Sequence, residues 1–189
     1  LMALYHFSVR HVSRGKGQMV VASAAYISGQ RIYDGYYNKI HDYTSKSGVV
    51  FTEILTPEYV PERMTDRETL WNEVEHVERN NKAQLAYSFD IALQNELTLE
   101  ENIRLAKEFC QEQFVVRGMI VDLAVHEGKS DNEEEPDNPH FHVLAPIRPF
   151  TEEGIWGNKQ RREYILDEDG NGVKDAKGKD MFNAVSTTG

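Results

Sequence analysis

The sequence predicts an α+β fold: a central, mainly antiparallel sheet with helices packed on one side of it. Three observations carry that expectation. Short segments rich in β-formers alternate with two amphipathic stretches of helical period. The apolar segments "MIVDLAVHE" and "HFHVLAPI" are joined by the polar loop "GKSDNEEEPDNP", which holds no crossover helix, so they should be antiparallel neighbours. No repeat or composition break divides the 189 residues, a length that fits one domain able to bury a core without staples.

Taken in order, "ALYHFSVRHV" (3–12) alternates loosely and reads as a strand, and "RGKGQ" as a turn. "MVVASAAYISG" spaces small residues for close packing and ends at Gly29, a good helix stop. "RIYDGYYNKIHDY" looks like a hairpin around Asp34-Gly35, and "GVVFTEILTP" like a strand ending near Pro57. "TDRETLWNEVEHVERNN" is the clearest helix, capped by Thr65 or Asp66, with Leu70, Val74 and Val77 at helical spacing. After the strand "QLAYSFDIAL" comes a second amphipathic helix, with Thr98 and Glu101 in capping-box positions. The two apolar strands follow, then a hairpin in "REYILDEDGNGVKD" turning at Gly170-Asn171-Gly172. From about Lys174 the tail is too polar and Gly-rich to assign.

Apolar residues make up 40% and charged residues 28%, as in a water-soluble globular domain. No apolar run approaches the ~18 residues of a membrane span, so membrane insertion is not expected. "MVVASAAYI" faintly imitates a signal peptide but is too short and follows a strand-like segment. The single cysteine, Cys110, permits no internal disulfide, which suits a cytoplasmic location.

The net charge of −10 argues at first against a nucleic-acid partner, whose affinity rests on Lys and Arg neutralising phosphates. The distribution softens this. Residues 1–48 carry six basic and two acidic residues (+4), and the remainder 15 basic and 29 acidic (−14). Arg10, Arg14, Lys16, Arg31 and Lys39 form a basic N-terminal end, and Lys159, Arg161 and Arg162 a second cluster. Singly these are surface charges; as groups they are the candidate DNA contacts.

The chemistry concentrates on histidine. His140 and His142 flank Phe141 on a strand, so both imidazoles face one way and the phenyl ring the other. His126 ends the preceding strand, and pairing of the two strands would bring it beside them. Any one of the three is ordinarily a half-buried packing residue. Together they suit a divalent transition metal such as Mn²⁺ or Zn²⁺ better than Mg²⁺, with positions left open for water or substrate. The acidic run Asp131–Asp137 reads as a solvated loop tip, because consecutive carboxylates repel one another. Asp90, mid-strand between Phe89 and Ile91, is either a surface-facing aspartate or a carboxylate that needs a histidine N–H or a proton. Glu127 adjoins His126 but points to the opposite face.

"YHFSVRHVSRGKGQMVVASAAYISGQRI" closely resembles the opening of the MobA/MobL family of plasmid mobilisation relaxases, within the HUH endonuclease class. "HFH" resembles the class motif of two histidines around a bulky apolar residue, with "NPH" as its lead-in and His126 as the upstream third histidine. "SFDIALQNEL" resembles the family's acidic strand, with Asp90 where Glu is usual and Gln94 where Pro is usual. The resemblance runs from about Tyr5 to the final "NAVSTTG" and implies a single catalytic domain over 1–189, truncated at its C-terminus.

What it implies further is a metal-dependent, strand-specific nick in single-stranded DNA at an origin of transfer. Tyr26 would be the nucleophile, left as a 5′-phosphotyrosine beside a free 3′-OH. His126, His140 and His142 would hold the ion, Mn²⁺ or Mg²⁺ in function, with Zn²⁺, Ni²⁺ or Co²⁺ able to substitute. Asp90 would act as base or as partner of a histidine. Single-stranded and hairpin DNA, accessory relaxosome proteins and a coupling protein are the implied partners. Without the resemblance, Tyr26 reads as a core tyrosine on a small-residue helix. Tyr33, Tyr36 and Tyr37 are the fallback nucleophiles, or platforms on which bases stack. His6 either supports the site or packs. Rolling-circle replication initiation shares the same chemistry, and a non-catalytic metal- or DNA-binding module is the reading from another class.

Overall fold

The computed structural model describes residues 6–129 and 137–187. Along the chain run β1 (Phe7–Ser13), α1 (Val20–Ser28), β2 (Arg31–Asp34), β3 (Lys39–Asp42), β4 (Val49–Leu55), α2 (Arg67–Val77), β5 (Gln84–Ala92), α3 (Leu99–Gln113), β6 (Val121–His126), β7 (His140–Pro146), β8 (Gln160–Tyr164) and β9 (Phe182–Ser186). The central sheet has the order β1-β5-β7-β6-β4, and every neighbouring pair is antiparallel. The α+β expectation therefore holds, and β6 and β7 pair as the loop between them required. Among the described residues no helix is long and apolar enough to cross a membrane.

The helices do not lie on one side, as the sequence suggested. α3 packs with Val121, Leu123, Val125, Phe141, Val143 and Ala145 on one face, whereas α1 and α2 cover Ala124 and Leu144 on the other. The reason is legible in β6 and β7, whose near-continuous apolar runs need cover on both faces. Strict alternation would have left one face wet.

Local signals explain the helix ends. The Asp66 carboxylate, not Thr65, caps α2 by accepting from the Thr69 N–H at 2.8 Å, and Thr98 and Glu101 form the reciprocal capping box of α3. α1 lacks a capping side chain of its own. Instead Glu75, fully buried on α2, accepts the Val20 N–H with one oxygen (3.0 Å) and the Arg14 guanidinium with the other (2.6 Å). A carboxylate at a helix N-terminus satisfies an orphan donor and complements the dipole. α1 ends at Gly29, whose φ of 64° is the left-handed conformation that glycine adopts without strain. Asp122, also fully buried, ties β6 to α2 by accepting from both Arg67 and the Trp71 indole N–H (2.8 Å).

The C-terminal segment departs from expectation. The turn at Asp167–Gly170 forms, with Leu166 bridging Gly172, but the chain turns again at Asp175–Gly178 and returns as β9 to pair with β8. β9 escaped detection because β8 and β9 are largely solvent-exposed, so neither carries the alternation that a half-buried strand shows.

Candidate active site

Cross-strand register builds the site. In antiparallel pairs, directly opposed residues share a face. His126 stands opposite His140, Ala124 opposite His142, and His142 opposite Asp90, which is in turn opposite Ser8. Three imidazoles and one carboxylate thus gather on the face that α1 covers. Phe141 points the other way, against Phe109 of α3. The imidazole centroids lie 4.6–5.2 Å apart, and one ring nitrogen of each histidine lies within 4.8 Å of those of the other two.

Backbone carbonyls set two of the tautomers. His126 Nε2 is 2.7 Å from the Ile27 carbonyl and His140 Nδ1 is 2.8 Å from that of Asn138. A carbonyl can only accept, so both nitrogens carry protons, which leaves His126 Nδ1 and His140 Nε2 as lone-pair donors. Burial lowers His126 from its ordinary value, partly opposed by its bond to Ile27. Burial also pulls His142 down to about 4, against the attraction of Asp90. A metal requires the neutral imidazole, the form that the lowered pKa values of His126 and His142 favour, so three imidazoles with converging nitrogens fit a divalent ion.

Tyr26 arrives from above. The small residues of α1 let it lie close on the sheet: Ala24 and Ala25 are fully buried, while the Tyr26 side chain remains 50% exposed. It opens into a cleft of about 390 Å³ that is also lined by Ser8, Arg10, Tyr43, Asp90 and His142. Tyr43 meets the Tyr26 ring edge-on at 5.3 Å. His6 sits with Asp90 and His140 around a smaller hollow of about 220 Å³. Tyr33, Tyr36 and Tyr37 do not line the Tyr26 cleft; they project, half-exposed, from the β2–β3 hairpin.

The candidate DNA contacts divide. Arg10 lines the cleft, and Lys16 and Lys39 are exposed. Arg31 is exposed beside Asp42 at 3.6 Å, Arg161 pairs with Glu163 at 2.8 Å, and Arg162 lies over the Phe182 ring at 4.5 Å. Arg14 is corrected. It is 8% exposed, and its guanidinium donates to Glu75 and to the carbonyls of Glu78 and Asn80, so it cannot reach a phosphate. Lys159 is partly exposed but engaged: its ammonium is 2.9 Å from Glu78 and bonded to the Gln84 carbonyl. Of the acidic run, residues 131–136 lie outside the described residues.

Two residues of the site escaped the sequence reading. Glu75 looks like an ordinary helix carboxylate until α1 is seen resting on it. Lys46, alone in the loop "YTSKSG", has its ammonium 3.0 Å from the Tyr26 carbonyl and 3.7 Å from the Tyr26 ring centroid. No local pattern marks either residue, because each acts across a tertiary contact.

A histidine pair around Phe141, a third histidine on the adjoining strand and a tyrosine-bearing helix above them thus lie together. The chain belongs to the MobA/MobL family, whose sequence pattern matches residues 18–187. It is 36% identical to the conjugal transfer protein TraA of Agrobacterium fabrum, over 96% of this chain and 16% of that protein. It is 34% identical to the probable mobilization protein MobA of Bifidobacterium longum, over 91% of this chain and 30% of that protein. A solved structure described as the molecular basis of vancomycin resistance transfer in Staphylococcus aureus matches with a TM-score of 0.76 at 38% identity, over 84% of this chain and 78% of that one. The chain thus spans under a third of the length of these two relatives.

Proposed function

We propose that residues 1–189 form the catalytic domain of a relaxase that nicks and rejoins single-stranded DNA at a plasmid origin of transfer. The observation that carries this reading is the shared cleft: Tyr26, Asp90 and His142 line one hollow, with His126 and His140 beside it. The phenol oxygen of Tyr26 attacks the scissile phosphorus, a P–O(Tyr) bond forms and the P–O3′ bond breaks. Asp90 accepts the phenolic proton, and a proton from solvent completes the 3′-hydroxyl. The 5′-phosphotyrosine keeps the energy of the phosphodiester, so the strand can be resealed, which hydrolysis would not allow.

His126, His140 and His142 are the residues that would hold a divalent ion, Mn²⁺ or Mg²⁺ in function, which neutralises charge on the scissile phosphate when bound. Arg10 places a cation in the cleft for a neighbouring phosphate. Single-stranded and hairpin DNA are the substrates on this reading, accessory relaxosome and coupling proteins the partners, and the cytoplasm the setting.

The test is incubation with origin-containing oligonucleotides and Mn²⁺, resolved on a denaturing gel. Wild type should form a covalent adduct, and Tyr26→Phe should bind the same DNA and form none. An adduct from the Phe variant would move the nucleophile to Tyr33, Tyr36 or Tyr37. Asp90→Asn should slow adduct formation at unchanged metal affinity. A loss of metal affinity instead would make Asp90 a partner of His142 rather than the base.

A further inference from the structure

We propose that Lys46 is a positioning residue for the nucleophile, holding the ring and the helix end of Tyr26 against the histidine cluster. This rests on the reading of Tyr26 given above. Two contacts made by one ammonium carry it: the hydrogen bond to the Tyr26 carbonyl and the approach to the face of the same residue's ring.

A helix leaves its last carbonyls without intrahelical donors. In α1 the carbonyl of Tyr26 is taken by Lys46 and that of Ile27 by His126, so a cation and a site imidazole together finish the helix. A lysine at a helix C-terminus is commonplace and by itself means only a cap. The ring contact goes beyond a cap. Tyr43 meets the Tyr26 ring in a T-shaped contact and Lys46 lies over the Tyr26 ring, which restricts a side chain that is otherwise half in solvent.

The loop that carries Lys46 is itself fixed at both ends. The Tyr43 N–H donates to the Gln30 carbonyl just past α1, and the Gly48 carbonyl accepts from Glu127, the residue after His126. The loop therefore spans from the end of the tyrosine helix to the end of the histidine strand. Lys46 is partly buried, and desolvation alone moves its pKa, downward. Among the described residues its ammonium has no carboxylate in ion-pair contact; it rests on Tyr26, and its charge is also felt by His126 and His142.

The test compares Lys46→Met, which keeps the stem and loses the charge, with Lys46→Arg, which keeps a cation able to bond the carbonyl and cover the ring. Single-turnover adduct formation at saturating oligonucleotide should slow about 10- to 100-fold in the Met variant, the scale at which misplacement of a reacting group tells. Its oligonucleotide Kd should change less than about threefold, and the Arg variant should recover most of the rate. Lys46→Gln replaces the Met variant if the latter does not fold. A Met variant as fast as wild type overturns the proposal, as does an Arg variant as slow as Met. A weakened Kd with an unchanged saturating rate also overturns it, making Lys46 a phosphate contact. Adduct formation by Tyr26→Phe is a separate result that overturns the nucleophile assignment itself.

Discussion

The carbonyl of Ile27 accepts a hydrogen bond from His126 Nε2 at 2.7 Å. The residue next to the proposed nucleophile thus fixes the tautomer of a proposed metal ligand, and helix and ion site share one bond. Metal binding should therefore tighten α1. At an ion concentration 100 times its Kd the folded state gains about 2.7 kcal/mol by mass action.

Added Mn²⁺ should raise the melting temperature and slow hydrogen exchange of the α1 amides as well as those of β6 and β7. His140→Ala or His142→Ala should abolish most of that response, because two imidazoles hold the ion far more weakly than three. Unchanged calorimetric affinity in both variants would exclude the three-histidine site. Protection confined to β6 and β7 would leave the site intact and refute the coupling to α1.

Acid should destabilise the metal-free protein through the same residues. An unfolded histidine titrates near 6.5, whereas burial holds His142 at about 4 in the fold. Between those values the unfolded chain carries a proton that the folded chain lacks, so stability falls as pH drops through that window and levels off below it. The loss from His142 approaches about 3 kcal/mol over the whole window, about 2 kcal/mol of it by pH 5, and His126 is shifted in the same direction. Urea midpoints measured with chelator at pH 7 and pH 5 should separate more for wild type than for His142→Gln. Equal separations would mean that His142 is no more desolvated in the fold than out of it.

The Arg14–Glu75 pair makes a prediction about stability. Arg14→Ala leaves Glu75 buried without its cation, which typically costs about 3–5 kcal/mol. The N-terminus of α1, which rests on the same carboxylate, should fray first. A loss below about 1 kcal/mol in chemical unfolding would show that Glu75 finds another donor or takes up a proton.

Much of the fold was legible because it rests on local signals: the Gly29 stop, the Thr98–Glu101 box, the Asp34-Gly35 hairpin and the His-Phe-His strand. The histidine cluster was legible too, since a strand of period two and one antiparallel pairing suffice to assemble it. Helices on both faces were missed although the apolar runs of β6 and β7 signalled them. Arg14 was misread for a deeper reason. A basic residue in a turn after a strand carries no mark of whether a buried carboxylate awaits it 61 positions on. Lys46 and Glu75 were invisible on the same ground: their partners are distant in sequence and only the fold brings them together.

That correction changes what salt should do to DNA binding. A chain of net charge −10 that binds DNA must concentrate its phosphate contacts, and with Arg14 and Lys159 committed internally fewer cations remain. Arg10, Lys16, Arg31 and Lys39 are the accessible ones at the N-terminal end. If about three or four phosphates are neutralised on single-stranded DNA, the log–log salt slope is roughly −2 to −3. Arg10→Ala, in the cleft, should flatten it by somewhat under one unit and weaken binding across sequences alike. Lys159→Ala should leave the slope unchanged, because its ammonium faces Glu78. A steep wild-type slope that Lys159→Ala flattens would mean that the Glu78 pair opens to admit DNA. A slope near zero would mean that the basic end is not the DNA footprint, and binding would have to come from base stacking and hairpin shape instead.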